Sequence, residues 1–435
     1  MSLARHQLSG AAFEALAAGG GGRDVLRQLA DAQYSKHLVL LRGVLAAAEA
    51  GDREQALRVR RARTVLAAVQ RRDPVAARTV IGYPAVGAWA LHTVRASRGG
   101  PAAPGAVPSG LSGLAAAAAI RSGLPADIEV TAVAGTLALP SLGAARAAAD
   151  SVIVRSAGET AEIISGGSRT RLPAGSRPGA PGWLGLRRIR LGSGDVLVDD
   201  LDPFRMPAVP DVSARLDDSE LGAWNRAFQD AWHLLVRYHP AVADEAGQAI
   251  RVIVPLDMPS AGERSSSSAE TFGAVALSRP SNATNLAVTL THELQHLKLC
   301  ALIDVVRLTT RDDGRRYYAL WRDDPRPASG LLQGAYAYLG ISGFWRRQRH
   351  VVPRHARIRA NAEFAKWRAA TTQATATLAA SGQLTAEGTR FVRGMAHTLQ
   401  AWRDDTVPSE ADLLARHEAD EHRARWTRAH GPIQA

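Results

Sequence analysis

The chain has 435 residues, 46% of them hydrophobic, a length that allows two or three domains and a composition ordinary for a globular protein. Its net charge of +12 would suit nucleic acid, an acidic membrane or an acidic peptide, but the arginines are scattered, and the absence of basic–aromatic or zinc-finger spacing argues against nucleic acid. One cysteine, Cys300, leaves no intrachain disulfide framework, and no apolar run marks a signal peptide or a bilayer span, so a cytoplasmic location is expected.

Residues 1–120 read as an N-terminal helical region rich in Ala, Leu and Arg. Asp24 to Glu49 and Glu54 to Val69 carry helical spacing. Asp73-Pro74 has the form of a helix start, with Asp as cap and Pro in the first turn. Gly19 to Gly22 lacks the Lys-Ser and flanking strand of a phosphate cradle and reads as a loop. Pro101 to Ser109 reads as a linker.

Residues 121–210 form a β-rich region. Ile128 to Val133, Ser151 to Arg155, Glu159 to Ile164, Leu186 to Leu191 and Asp195 to Val198 are short, β-branched and separated by turn residues. Asp199-Asp200-Leu201-Asp202 reads as a solvated turn, with a metal patch as the alternative. From 211 onward the chain turns helical again. Asp217 to Tyr238 places Trp224, Phe228, Trp232 and Leu235 on one stripe, which predicts a core-facing helix. Ile250 to Leu256 and Thr271 to Leu277 read as strands, with Ser265 to Ser268 as a polar loop between them. The fold class expected is α+β, mostly helical, with a metallopeptidase-like domain over 211–435. In that domain the strand before the next helix would offer an edge to an extended peptide.

That next helix, Leu286 through Val306, contains His292-Glu293-Leu294-Gln295-His296. Positions i and i+4 share a helix face, so His292 and His296 can reach one metal ion, with Glu293 beside it. In a zinc hydrolase Glu293 would be the catalytic base toward metal-bound water. Cys300, four residues on, is either a further ligand or a small buried residue. Asn282-Ala283-Thr284 matches a glycosylation acceptor, which has meaning only in a secreted chain. Tyr317 through Pro327 sets aromatic residues beside Arg322 and Arg326 and closes on two prolines. It reads as an ordered loop whose arginines either grip a ligand carboxylate in a bidentate fork or pair with Asp323 and Asp324.

Several stretches together resemble the H-E-x-x-H peptide-modification proteins of actinobacterial gene clusters for ribosomally made, post-translationally modified peptides. They are Ser265 to Ser268 with Phe272 to Leu277, Leu290 to His296, and Tyr317-Tyr318 through Arg326-Pro327. The likeness continues through Leu331 to Ala337, Phe344 to Arg346 and Glu363 to Arg368. The resemblance implies an Fe(II)- and 2-oxoglutarate-dependent peptide β-hydroxylase. Its substrate would be a precursor peptide, with no nucleic-acid or membrane partner. His292 and His296 would hold iron, and Arg322 or Arg326 the distal carboxylate of 2-oxoglutarate. The family often has His where this chain has Tyr338, which makes Tyr338 the candidate third ligand, with Glu363, His350 and His355 as alternatives. A zinc-dependent peptidase and a non-catalytic peptide-binding relative are the competing readings.

Overall fold

The computed structural model describes residues 6–172, 180–192, 194–207, 209–260 and 262–433. The first five residues of the segment read above for a signal lie outside them. The protein is mixed α+β, with helices to Ser122, strands from Ala126 to Val198, and mostly helices thereafter. It folds as two compact units, each assembled from separate stretches of sequence.

The first unit comprises residues 31–226 and 250–279. It takes the greater part of α2 (Gly22–Glu49) and all of α3 (Arg53–Arg72), α4 (Pro74–Ile81), α5 (Pro84–Ser97) and α6 (Leu111–Ser122). Helix α3 starts where Asp52 accepts from Gln55 N, and it buries Val59, Ala62, Leu66 and Val69 at helical spacing. Asp73 caps α4 through Val75 N and Ala76 N, with Pro74 in the first turn, as expected. Helix α6 is buried almost all round, from Leu111 through Ala119. Its run of alanines allows close approach to α3 and the first strand. The stretch 101–109, expected as a linker, lies inside this unit instead: Ala106 belongs to its core and Ser109 is buried.

Three small sheets complete the unit. Strands β1 (Ala126–Thr131), β4 (Ser151–Ala157), β5 (Thr160–Ser165) and β6 (Ser168–Leu172) form an antiparallel sheet in the order β1-β4-β5-β6. Strands β2 (Thr136–Leu139), β3 (Gly143–Arg146) and β7 (Trp183–Gly185) form a second. The third runs β11-β12-β10-β9-β8 and joins β8 (Arg187–Leu191) and β9 (Gly194–Val198) to β10 (Val252–Pro255), β11 (Ser265–Ser267) and β12 (Ala274–Leu277). Strand β10 is parallel to both its neighbours and, like β12, buried on both faces, which is why these strands are unbroken apolar runs. Two expectations are corrected here. Ser265 to Ser267 is a strand, not a loop, because it pairs antiparallel with β12. Strand β12 is therefore interior, and the edge expected for a peptide is already occupied by the chain itself.

The second unit, residues 6–30, 227–249 and 280–435, is helical. It holds α1 (Gly10–Ala17), the start of α2, most of α7 (Asp218–Tyr238), α8 (Pro240–Ala249), α9 (Ala283–Ile303), α10 (Ala328–Gln348), α11 (Arg357–Ala380), α12 (Ala386–Ala401) and α13 (Ser409–His430). Helix α9 is the expected motif helix. Asn282, the residue read as a glycosylation acceptor, is its cap and accepts from Asn285 N. Leu286, Leu290, Leu294 and Leu297 are buried along α9, each contributing about 1.5–3 kcal/mol. Lys298 is buried too, and its ammonium donates to Glu245 Oε2 (2.7 Å) and to the carbonyls of Gly19 (2.8 Å) and Gly20 (3.0 Å). Among the described residues no helix is long and apolar enough to cross a membrane.

Candidate metal centre

Helix α9 carries His292 and His296 one turn apart, and both imidazoles point the same way. Their Nε2 atoms are 3.1 Å apart. Two imidazole nitrogens held about 2.0–2.1 Å from one metal stand about 3.0 Å apart at a right angle and about 3.3 Å apart at the tetrahedral angle. The observed spacing therefore fits a shared divalent ion in either geometry. Both histidines are half-buried. Burial, and then the neighbouring His296, hold His292 well below the ordinary imidazole range, so it is neutral and able to ligate.

Gln333 on α10 supplies a further element. Its Oε1 lies 3.2 Å from His296 Nδ1, while its Nε2 donates to Cys300 Sγ at 3.6 Å. The contact to sulfur orients the amide with oxygen toward the histidine. In that orientation the amide oxygen can accept a proton carried on His296 Nδ1, which would leave the Nε2 lone pair directed toward His292. Metal-ligating histidines are commonly braced through the other ring nitrogen in this way. Cys300 thus packs through Gln333, one turn beyond His296 on the same helix.

Glu293 is buried, and its Oε1 lies 4.0 Å from His292 Nε2. Tyr338 on α10 packs edge-on against His292, with ring centroids 5.3 Å apart. It is stacked on Trp321 at 4.7 Å and touches Trp367 at 4.4 Å. Burial, and then the charge of Glu363, push the Tyr338 phenol far above its usual range, with Arg322 pulling the other way. The phenol is neutral in this setting, and ligation would require it to lose its proton. The aromatic wall depends on a close approach: a Cβ on Gly334 would stand 2.2 Å from Trp321 Nε1, so only glycine lets the loop lie across α10 there.

The alternative third ligands are placed differently. Glu363 is held by Trp367 Nε1 (2.5 Å), Lys366 (3.2 Å) and Arg359. His350 lines a cavity of about 750 Å³ on another face of α9, with Gln295, Lys298 and Phe344; neither His292 nor His296 lines it. His355 is in the short turn Arg354–Ala356. Among the described residues no group of three His, Cys, Asp or Glu side chains is placed to hold a metal. The pair offers two imidazoles, with the Tyr338 ring packed edge-on against one of them.

The loop from Tyr317 to Arg326 is closed by reciprocal backbone hydrogen bonds between those residues, 2.7 and 2.9 Å. Arg322 and Arg326 both grip Asp324, at 2.9 Å each, and Arg322 is half-exposed. Sequence reasoning named His292, Glu293, His296 and Tyr338. It gave no role to Gln333, Trp321 or Trp367, whose contacts with the site arise only from the packing of separate elements.

The acidic stretch of the first unit is a correction. Asp199, Asp200 and Asp202 are 1%, 5% and 8% exposed, not a solvated turn. Asp199 accepts from Tyr83 Oη (2.5 Å), Leu201 N (3.1 Å) and Asp202 N (2.9 Å). Asp200 accepts from Arg187 (2.6 Å), Arg215 (3.0 Å) and Leu216 N (3.2 Å). Asp202 accepts from Phe204 N at 2.8 Å, and burial, then Asp199, push its carboxyl up to about 7. Their partners are the chain's own donors, and they are structural.

The chain matches no protein-family model and no curated protein sequence.

Proposed function

We propose that this protein is an Fe(II)- and 2-oxoglutarate-dependent enzyme that hydroxylates a β-carbon of a ribosomally made precursor peptide in the cytoplasm. The observation that carries the metal part is the convergence of His292 and His296 Nε2 with His296 braced by Gln333. The choice of iron and of peptide rests on the sequence resemblance. Two histidines with open positions beside them suit a non-haem iron site, though its third ligand is usually a carboxylate. When bound, iron would supply the oxidising chemistry, with O₂ and 2-oxoglutarate as co-reactants.

The chain's own residues have the remaining tasks. His292 and His296 hold the ion. Gln333 keeps the His296 proton on Nδ1. Tyr338 and Trp321 wall the site against water. Arg322 and Arg326 would bind the distal carboxylate of the cosubstrate in competition with Asp324, so Arg322→Lys or Arg326→Lys should raise the 2-oxoglutarate requirement while metal content is unchanged.

An anaerobic titration with iron and then 2-oxoglutarate, followed by visible absorption, tests the reading. Aerobic assay of a candidate precursor peptide should show succinate formation and a gain of one oxygen atom by mass spectrometry. The position of Glu293 Oε1, 4.0 Å from His292 Nε2, favours a second reading, a zinc peptidase with Glu293 as base. Peptide cleavage with zinc and no 2-oxoglutarate would establish that instead. Metal binding with neither activity would leave a non-catalytic peptide-binding relative.

A further inference from the structure

Helix α3 contains seven arginines and one glutamate in twenty residues. Arg58 pairs with Glu54 (2.7 Å) and Glu129 (3.1 Å), and Arg72 donates to Ser122 O. Arg53, Arg60, Arg61, Arg63 and Arg71 are exposed. Among the described residues the guanidinium groups of these five have no hydrogen bond or ion pair; Arg60 is engaged only through its backbone carbonyl, which accepts from Thr64 Oγ1. The buried stripe is Val59, Ala62, Leu66 and Val69. At 3.6 residues per turn, the opposite pole of the helix falls on Leu57, with Arg53, Arg60, Arg61 and Arg71 around that line. Leu57 is 47% exposed. The face is therefore a cationic ring about an uncovered apolar side chain.

This arrangement is locally unfavourable. Arg53 stands in the first turn, against the helix dipole, and like charges three and four residues apart repel by a few tenths of a kcal/mol per pair. A ligand that brought carboxylates to the ring and an apolar group to Leu57 would relieve both terms. Nucleic acid fits less well: α3 has no aromatic side chain on which a base could stack, and phosphates would leave Leu57 uncovered. An anionic membrane fits less well too, because the bulky apolar residues of the amphipathic helix are already buried in the unit's core.

We propose that the solvent face of α3 docks an acidic peptide segment carrying an apolar side chain, the carboxylates meeting Arg53, Arg60 and Arg61 and the apolar group meeting Leu57. This does not depend on the metal chemistry, and its failure would leave that chemistry untouched.

The test uses the full chain and a fluorescein-labelled Glu-rich peptide with a central leucine, read by anisotropy at low ionic strength. The same peptide with Gln for Glu is the neutral control. The acidic peptide should bind at least about tenfold tighter than the neutral one, with affinity falling as salt rises. The triple variant R53E/R60E/R61E should lose about tenfold or more, and L57Q a few-fold. All three arginines are exposed, and circular dichroism checks the fold. The control triple R169E/R171E/R188E makes the same change in net charge at other exposed positions of the same unit and should cost less than about twofold. Equal binding of both peptides overturns the proposal, since the carboxylates would then contribute nothing, and equal loss in the two triple variants overturns it too, since only overall charge would then be at work. Single-stranded poly-uridylate that binds through α3 more tightly than the peptide also overturns it, in favour of nucleic acid.

Discussion

Each unit contains a cluster of polar side chains withdrawn from solvent, and the two are built on opposite principles. In the first unit Asp199, Asp200 and Asp202 face backbone N–H groups, with two arginines on Asp200 and a tyrosine hydroxyl on Asp199, so each carboxyl finds its donors within the chain. In the second unit His292 and His296 direct ring nitrogens at each other across 3.1 Å, a gap bridged by one shared proton or one metal ion. A carboxylate cluster satisfied by internal donors is architecture. A pair of imidazoles converging on one point, one of them held neutral by burial, is a candidate binding site. Had burial alone been the criterion, the aspartates would have been the stronger candidate.

This contrast can be broken at several places. The largest effect should come from His292→Ala or His296→Ala. Each should abolish tight uptake of one divalent ion per chain, measured by cobalt titration and elemental analysis, with thermal stability nearly unchanged. Unaltered metal content in both variants would remove the distinction between the clusters.

Asp200→Ala should do the reverse. It strands Arg187 in the interior and should cost about 3–5 kcal/mol of stability, read by urea denaturation, while metal content stays the same.

The next effect concerns pH. The Asp202 carboxyl titrates near 3.8 unfolded and is pushed up to about 7 by burial and Asp199, so folding favours its protonated form. Its contribution to stability is fully present below about pH 4 and is lost as pH rises to 7. Asp202→Asn keeps the acceptor for Phe204 N and should flatten that slope by about 2–4 kcal/mol. A denaturation series across pH 4–8 in both proteins decides it, and an unchanged slope would mean the carboxyl is already ionised in the fold.

The smallest change is Gln333→Leu, which removes the brace on His296 Nδ1. Cobalt affinity should fall about 10–100-fold, with the two histidines still able to bind. Gln333→Glu, which retains an acceptor, should recover most of it.

What could be read from sequence follows the range of the interactions involved. The motif helix was legible because the spacing of His292 and His296 and of the leucines around them is a local property of one helix. Gln333 was not, since its role exists only once α10 docks on α9. The aspartates misled because three acids in four residues suggest solvent. Their main partners, Tyr83 and Arg187, lie 116 and 13 residues away from the groups they contact. Ser265 to Ser267 reads as loop on side-chain propensity, whereas its backbone is claimed by β12. The parallel pairing of β9 with β10 spans more than fifty residues and carries no local signature.

The bonds from Lys298 to Gly19 and Gly20 set the order in which the molecule can be completed. Helix α9 is tied to a loop that precedes it by almost the whole first unit, through an ammonium that has no water to fall back on. As the chain leaves the ribosome, residues 6–30 must wait for 227–249 and then for 280–435 before their unit can close, while residues 31–226 and 250–279 can gather earlier. The candidate metal centre is thus among the last places to acquire its shape. Removing the Gly19–Gly20 segment would unseat the helix that carries it, however intact the two histidines remained.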